Sequence, residues 1–108
     1  MTFTVRELDY DGAAEVLDLD CSHPLAPGDL AALNTTFLRY PILAIRNQQL
    51  TPQQQVTFSQ QFGEIELTGN TRYYHPDEPR VLVLSNELDE QGRPVGIADA
   101  GVFLHSDL

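Results

Sequence analysis

The sequence predicts an α+β fold, and three observations predict it. Two segments carry helical signals, one of them with a capping box and a proline at the first helical position. Several short stretches are apolar or alternate at strand length. Pro- and Gly-bearing turns separate these stretches at short intervals. The chain has 108 residues, 42% of them hydrophobic and 20% charged. That suffices for one modest domain and excludes both a second core and a disordered chain.

The elements follow in order. Residues 2–8 alternate as a short strand, and residues 14–19 make a second, with Val16 and Leu17 apolar and Asp18 and Asp20 closing it. Pro24 and Pro27 mark a loop. Over residues 29–40, Leu30, Leu33 and Phe37 recur at helical spacing, with Asp29 as the expected N-cap and Pro41 as the stop. Residues 42–45, Ile-Leu-Ala-Ile, are continuous enough for a strand buried on both faces. Thr51-Pro52-Gln53-Gln54 forms the capping box of a helix running to Phe62, burying Val56 and Phe62, with Gly63 as a left-handed stop. Residues 64–67 are a further short strand, followed by a loop through Gly69, Asn70, Pro76 and Pro79. Val81-Leu82-Val83-Leu84 is a strand, residues 87–94 a turn, and residues 95–97 its hairpin return. Residues 102–104 are apolar and lead into His105-Ser106-Asp107.

Charge narrows the function classes. Sixteen acids face six bases, all arginine, for a formal net charge of −10. This excludes the basic footprint of a nucleic-acid binder, and an anionic membrane would repel the chain. No apolar run reaches membrane-spanning length. The N-terminus has no apolar signal region. A single cysteine, Cys21, builds no disulfide framework, which points to a reducing, cytoplasmic setting.

His105 and Asp107 are the most suggestive pair. Two apart on a strand, they share a face, with Cα atoms roughly 6.6 Å apart at about 3.3 Å rise per residue. An imidazole and a carboxylate so placed supply two corners of a 2-His-1-carboxylate metal face. The alternative is a surface His–Asp hydrogen bond. His75-Pro76-Asp77 repeats the spacing, but its proline suits a loop. Cys21 and His23 lack the partners that zinc requires. Ser59, Ser85 and Ser106 have no nucleophile-elbow setting, and Glu64 and Glu66 suit a solvated surface. Tyr73 and Tyr74 suit core and rim packing.

The order of segments adds more than any pair. Arg39-Tyr40-Pro41-Ile42-Leu43, Leu50-Thr51-Pro52-Gln53-Gln54-Gln55 and Phe62-Gly63-Glu64 come first. His75-Pro76, Val81-Leu82-Val83-Leu84-Ser85-Asn86, Gly92-Arg93-Pro94-Val95-Gly96, Asp99-Ala100-Gly101 and His105-Ser106-Asp107-Leu108 continue them. From about Ala14 onward, this order resembles the opening of the taurine/2,4-dichlorophenoxyacetate (TauD/TfdA) dioxygenases. The resemblance implies a double-stranded β-helix (a jelly roll, cupin-like) with flanking helices, of which residues 1–108 form a single partial, truncated N-terminal portion. It implies Fe(II) as cofactor and 2-oxoglutarate as cosubstrate, decarboxylated to succinate as a substrate C–H bond is hydroxylated. It makes His105 and Asp107 the first two metal ligands. It makes His75 a contact to the anionic group, sulfonate or carboxylate, of a small-molecule substrate, and places the Leu108 backbone near that substrate.

The departures matter too. Leu104 stands where the family often has Trp, and Gly101 where some members carry an amide, which leaves Asp99 to supply a polar contact. The family's distal His ligand and the Arg that grips 2-oxoglutarate have no counterpart here, so the 108-residue chain alone is expected to be inactive. The alternative reading is a non-catalytic binding or regulatory module derived from that family, pairing through an exposed sheet edge. A third is an unrelated acidic α+β domain. Homo-oligomerisation of a full-length protein stays open.

Overall fold

The computed structural model describes residues 1–67, 71–99, 101, 104 and 105, with residue 71 described through its backbone alone. The chain divides into two compact units, Met1–Phe62 and Gly63–Leu108.

The first unit holds β1 (Thr4–Glu7), β2 (Ala13–Leu17), α1 (Pro27–Arg39), β3 (Ile42–Ile45) and α2 (Pro52–Gln60). Its sheet has the order β1-β2-β3. β1 and β2 form an antiparallel hairpin with Val5 opposite Val16. Gly12, at φ +76°, permits the turn between them. β3 runs parallel to β2, with Val16 beside Ile45. A parallel neighbour needs a crossover, and α1 supplies it. Phe3, Val16, Leu19, Cys21 and Leu33 form the buried centre, with Val5, Leu43, Ile45, Leu50 and Phe58 packed around it.

Several expectations need correction here. Asp29 is not the N-cap of α1. Pro27 takes the first turn and Ala26 the cap position, without a side-chain cap bond. The Asp29 carboxylate instead turns to the N-terminal segment. It accepts the Thr2 N–H on one oxygen and the Thr2 hydroxyl on the other, both at 2.7 Å. The second strand closes at Leu17, because Asp18 adopts φ +64°. β3 has the expected bounds but is not buried on both faces. It pairs only with β2 among the described strands, and Ile42 is 64% exposed. α2 has its capping box as expected: Thr51 Oγ1 accepts the Gln54 N–H, and the Gln54 side chain accepts the Thr51 N–H. Gly63 is not left-handed. The helix closes instead on tight bonds from Gln61 N–H to Phe58 C=O and Phe62 N–H to Ser59 C=O, which satisfy the last carbonyls without a glycine cap. Phe62 is half-exposed and stands edge-on to Phe58, with centroids 5.2 Å apart.

The second unit holds a 3-10 turn (Thr71–Tyr73), β4 (Tyr74–His75) and β5 (Glu78–Leu82). β4 and β5 form an antiparallel hairpin pairing Tyr74 with Leu82 and His75 with Glu78. The expected loop through Pro79 therefore ends early: β5 starts at Glu78, and Pro79 is tolerated because a two-stranded ribbon is all edge. Residues 64–67 form no strand. The turn over residues 87–94 is present. Asp89 Oδ1 accepts the Gln91 and Arg93 N–H groups, and Gly92 sits at φ +76°. Residues 95–97 do return, but not as a simple hairpin. Ile97 bridges Leu84 in the parallel sense, and Pro94 bridges Leu88 antiparallel. Most of residues 102–104 lies outside the described residues.

Gly96 has a specific reason to be glycine. A Cβ there would stand 2.7 Å from the Val83 carbonyl oxygen and 2.9 Å from the Ser85 nitrogen. The backbone therefore passes too close for any side chain. That approach lets Ile97 N–H reach Val83 C=O at 3.0 Å and Ser85 N–H reach Ile97 C=O at 3.1 Å.

Candidate functional site

The residues that the resemblance singles out, His75, Asp99, His105, Asp107 and Leu108, fall in the second unit. His75 ends β4 and is half-buried. Its Nδ1 accepts the Asp77 N–H at 3.0 Å. Pro76 between them fixes the turn that brings this N–H back onto the ring. Glu78, directly opposite His75 in register, is buried. It accepts Arg80 Nε at 2.8 Å and Arg80 NH2 at 3.0 Å, one on each oxygen. That bidentate clamp, together with the Arg80 N–H, holds the Glu78 carboxyl below its usual range. The hairpin bearing His75 thus stands on a rigid ionic base.

Asp99 and His105 are both exposed. Asp107 and Leu108 lie outside the described residues. Among the described residues, no group of three or more His, Cys, Asp or Glu side chains gathers as a metal cage. Cys21 is buried and His23 is exposed. Burial, helped by Asp20, pushes the Cys21 thiol up. Ser22 donates to Asp20 at 2.6 Å and lies 2.9 Å from His23 Nδ1. This is a surface turn, because a hydroxyl already donating to a carboxylate is not activated by the neighbouring imidazole.

Sequence reasoning missed the ionic pairs that fix the scaffold. Glu15 on β2 is buried and bonds both Arg6 and Arg46. A Glu inside an apolar strand was a readable signal, since a buried carboxylate requires a partner. Glu78 and Arg80, two apart on one strand face, were readable by the same spacing rule as His105 and Asp107.

A second feature lies in the first unit. An apolar groove of about 650 Å³ opens between α1, β3 and α2, lined by Leu33, Phe37, Ile42, Ile45, Phe58 and Phe62 among others. Residues 30–38, 40–45 and 47–63 carry no charged side chain, in a chain with a net charge of −10. Leu38, at 86% exposure, and half-exposed Phe37 extend the apolar surface.

Comparison with known families decides what this scaffold is. The model of the taurine catabolism dioxygenase TauD, TfdA family matches residues 4–108. The chain belongs to the TauD/TfdA family. Pentalenolactone F synthase of Streptomyces arenae is 31% identical over 90 residues, which is 82% of this chain and 28% of that protein. A taurine dioxygenase from Burkholderia xenovorans superposes with a TM-score of 0.66 at 30% identity, over 73% of this chain and 28% of its own. AAD-2, solved in complex with Mn(II) and N-oxalylglycine, superposes with a TM-score of 0.57 at 32% identity, over 61% of this chain and 24% of its own. This TauD/TfdA chain therefore spans about a quarter of the length of these relatives. Its mixed α/β architecture, two helices with small sheets, is similar to theirs. Among its described residues, no helix is long and apolar enough to cross a membrane.

Proposed function

We propose that this chain is the N-terminal portion of an Fe(II)/2-oxoglutarate-dependent dioxygenase built on a double-stranded β-helix. The substrate is a small organic molecule with a sulfonate or carboxylate, hydroxylated as 2-oxoglutarate goes to succinate and CO2. The observation that carries this reading is the family match over residues 4–108, a range that includes His75 and His105-Ser106-Asp107.

The donor chemistry fits. His105 and Asp107 offer one imidazole and one carboxylate, two of the three protein ligands of an Fe(II) face. When bound, the metal supplies the redox chemistry that couples decarboxylation to oxygen insertion. N-oxalylglycine, held with Mn(II) in the AAD-2 structure, has the skeleton of 2-oxoglutarate with one methylene replaced by NH, which supports the cosubstrate assignment. His75 donates to the substrate's acidic oxygens, Asp99 adds a polar contact, and the Leu108 backbone lies along the substrate.

The uncharged apolar groove supports a fold that continues. A surface free of charge and rich in exposed Phe, Leu and Ile resembles an obligate interface rather than a finished exterior. Two ligands without a third, and without a guanidinium for the 2-oxoglutarate carboxylate, leave the 108 residues inactive by themselves.

The coding sequence past Leu108 tests the reading directly. A sheet-rich continuation carrying a His and then an Arg supports it. An immediate stop overturns the enzymatic assignment for this chain.

A further inference from the structure

We infer that the Asp77 backbone N–H fixes His75 as the Nε2–H tautomer. That makes His75 a dedicated hydrogen-bond donor, selective for an acceptor oxygen on the substrate, carbonyl or anionic, and removes it from metal ligation. The inference rests on the proposed substrate contact for its role, but not for its chemistry.

The chemistry comes from one bond. An imidazole nitrogen that accepts an N–H carries a lone pair, so the ring proton sits on the other nitrogen. Asp77 N–H points at Nδ1 from 3.0 Å, so the proton is on Nε2. Metal-ligating histidines use the opposite arrangement. They donate one ring N–H to a carboxylate, carbonyl or water, and the other nitrogen faces the metal with its lone pair. In His75 the nitrogen not bonded to Asp77 is the one that carries the proton.

The device is local and stiff. Pro76 has no N–H to compete and a restricted φ, so the next N–H along the chain is the one delivered to the ring. The register pairs His75 with Glu78, and Arg80 pins Glu78 with two bonds. The strand that carries His75 is thereby paired with one whose buried carboxylate is held in place.

The substrate consequence is a relaxed charge requirement. A neutral N–H donor bonds a sulfonate, a carboxylate or an uncharged carbonyl oxygen, and it rejects an ammonium group, which has no acceptor. A cationic site would favour only the anions.

Nitrogen-15 NMR of the uniformly labelled 108-residue chain near pH 8 reads the tautomer directly. Wild type is expected to show a pyridine-type Nδ1 and a pyrrole-type Nε2 for His75. Asp77→Ala keeps the N–H and should leave the signature unchanged. Asp77→Pro removes it and should give a mixture of tautomers, with the rest of the spectrum reporting that the hairpin persists. Protonated Nδ1 in wild type, or the same tautomer mixture in wild type and Asp77→Pro, overturns the inference. Added Mn(II) separates it from the metal reading. Broadening of His105 with His75 sharp supports both, and broadening of His75 overturns this one. Broadening of neither ring counts against His105 as a ligand and leaves the donor assignment supported.

Discussion

Glu15, buried on β2, accepts a 2.8 Å bond from Arg46 Nε just beyond the end of β3, while Arg6 of β1 bonds its other oxygen. One carboxylate thus ties all three strands across the face opposite the core. The bonds from Arg46 and then Arg6 hold the Glu15 carboxyl below its usual range. Thr2 does the same for Asp29, and Arg80 for Glu78. A folded pKa below the unfolded value means that the ionised form stabilises the fold. That contribution is complete above the ordinary carboxylate range of about 4 and is lost as pH falls through the folded values. Urea midpoints should therefore hold from pH 8 to pH 5 and drop between pH 4 and pH 2. A Glu15→Gln chain should start lower and lose less. A midpoint independent of pH down to 2 would contradict this.

Leu33 faces the core from α1 and is 3% exposed. It belongs to a cluster of five buried residues, with Phe3, Val16, Leu19 and Cys21. Truncation to alanine should cost about 2–5 kcal/mol. Against a total of about 5–15 kcal/mol for an ordinary domain, that is a large share. Thermal or urea unfolding of Leu33→Ala should show the loss. Truncating exposed Leu38, one turn on, should change stability by less than about 0.5 kcal/mol.

The capping box at Thr51 gives a smaller and cleaner number. Its hydroxyl accepts the Gln54 N–H at 3.2 Å, and the Gln54 side chain returns a bond to the Thr51 N–H at 2.9 Å. Thr51→Ala should cost about 1 kcal/mol, and Thr51→Ser much less. Equal losses from both variants would mean that the cap contributes nothing beyond packing.

What the sequence made legible was what local chemistry decides. Thr51, Pro52 and Gln54 announced α2, because a cap is a four-residue event. Ile42–Ile45 was readable as a strand, yet not its exposure, since nothing local says that β2 is the one neighbour of β3 among the described strands. Asp29 looked like a cap because caps are carboxylates before helices. Its partner, Thr2, lies 27 residues away, and only the fold brings it there. Gly63 looked like a helix stop until Gln61 and Phe62 closed the last turn with their own N–H groups. Of the candidate site, His75 was read into a loop and stands instead at the end of β4, and its bond from the Asp77 N–H went unread because the hairpin sets it. His105 and Asp107 were legible as a candidate pair by spacing and by resemblance, and the structure describes His105 alone of the two.

Gly96 makes a prediction for the second unit. Alanine there would drive a methyl against the Val83 carbonyl and the Ser85 nitrogen, both backbone, so no side chain can swing aside. The strand crossing must open, at about 1–3 kcal/mol by analogy with overpacked cores. Amide exchange is the direct readout. In Gly96→Ala the Ile97 and Ser85 amides should lose protection together, because they bond across the same contact. Gly63→Ala, with open space around its Cβ, is the control and should leave them unchanged.

The last prediction concerns activity. The chain has three histidines and six arginines. Arg6 and Arg46 bond Glu15, Arg39 faces Glu7, Arg80 clamps Glu78, and Arg93 pairs with Asp89. Arg72 stacks over the Tyr73 ring at 5.4 Å. Each guanidinium thus has a partner within its own unit. His23 belongs to the Asp20–Ser22 turn, and His75 has its bonded nitrogen facing Asp77. The purified 108-residue chain, given Fe(II), 2-oxoglutarate, ascorbate and taurine, should therefore release no succinate above a metal-free control. Its Mn(II) affinity should be weak and should fall further in His105→Ala. Sustained succinate release would show that the chain finds its third ligand and its carboxylate clamp among residues assigned here to structural pairs, and the partial-domain reading would have to be abandoned.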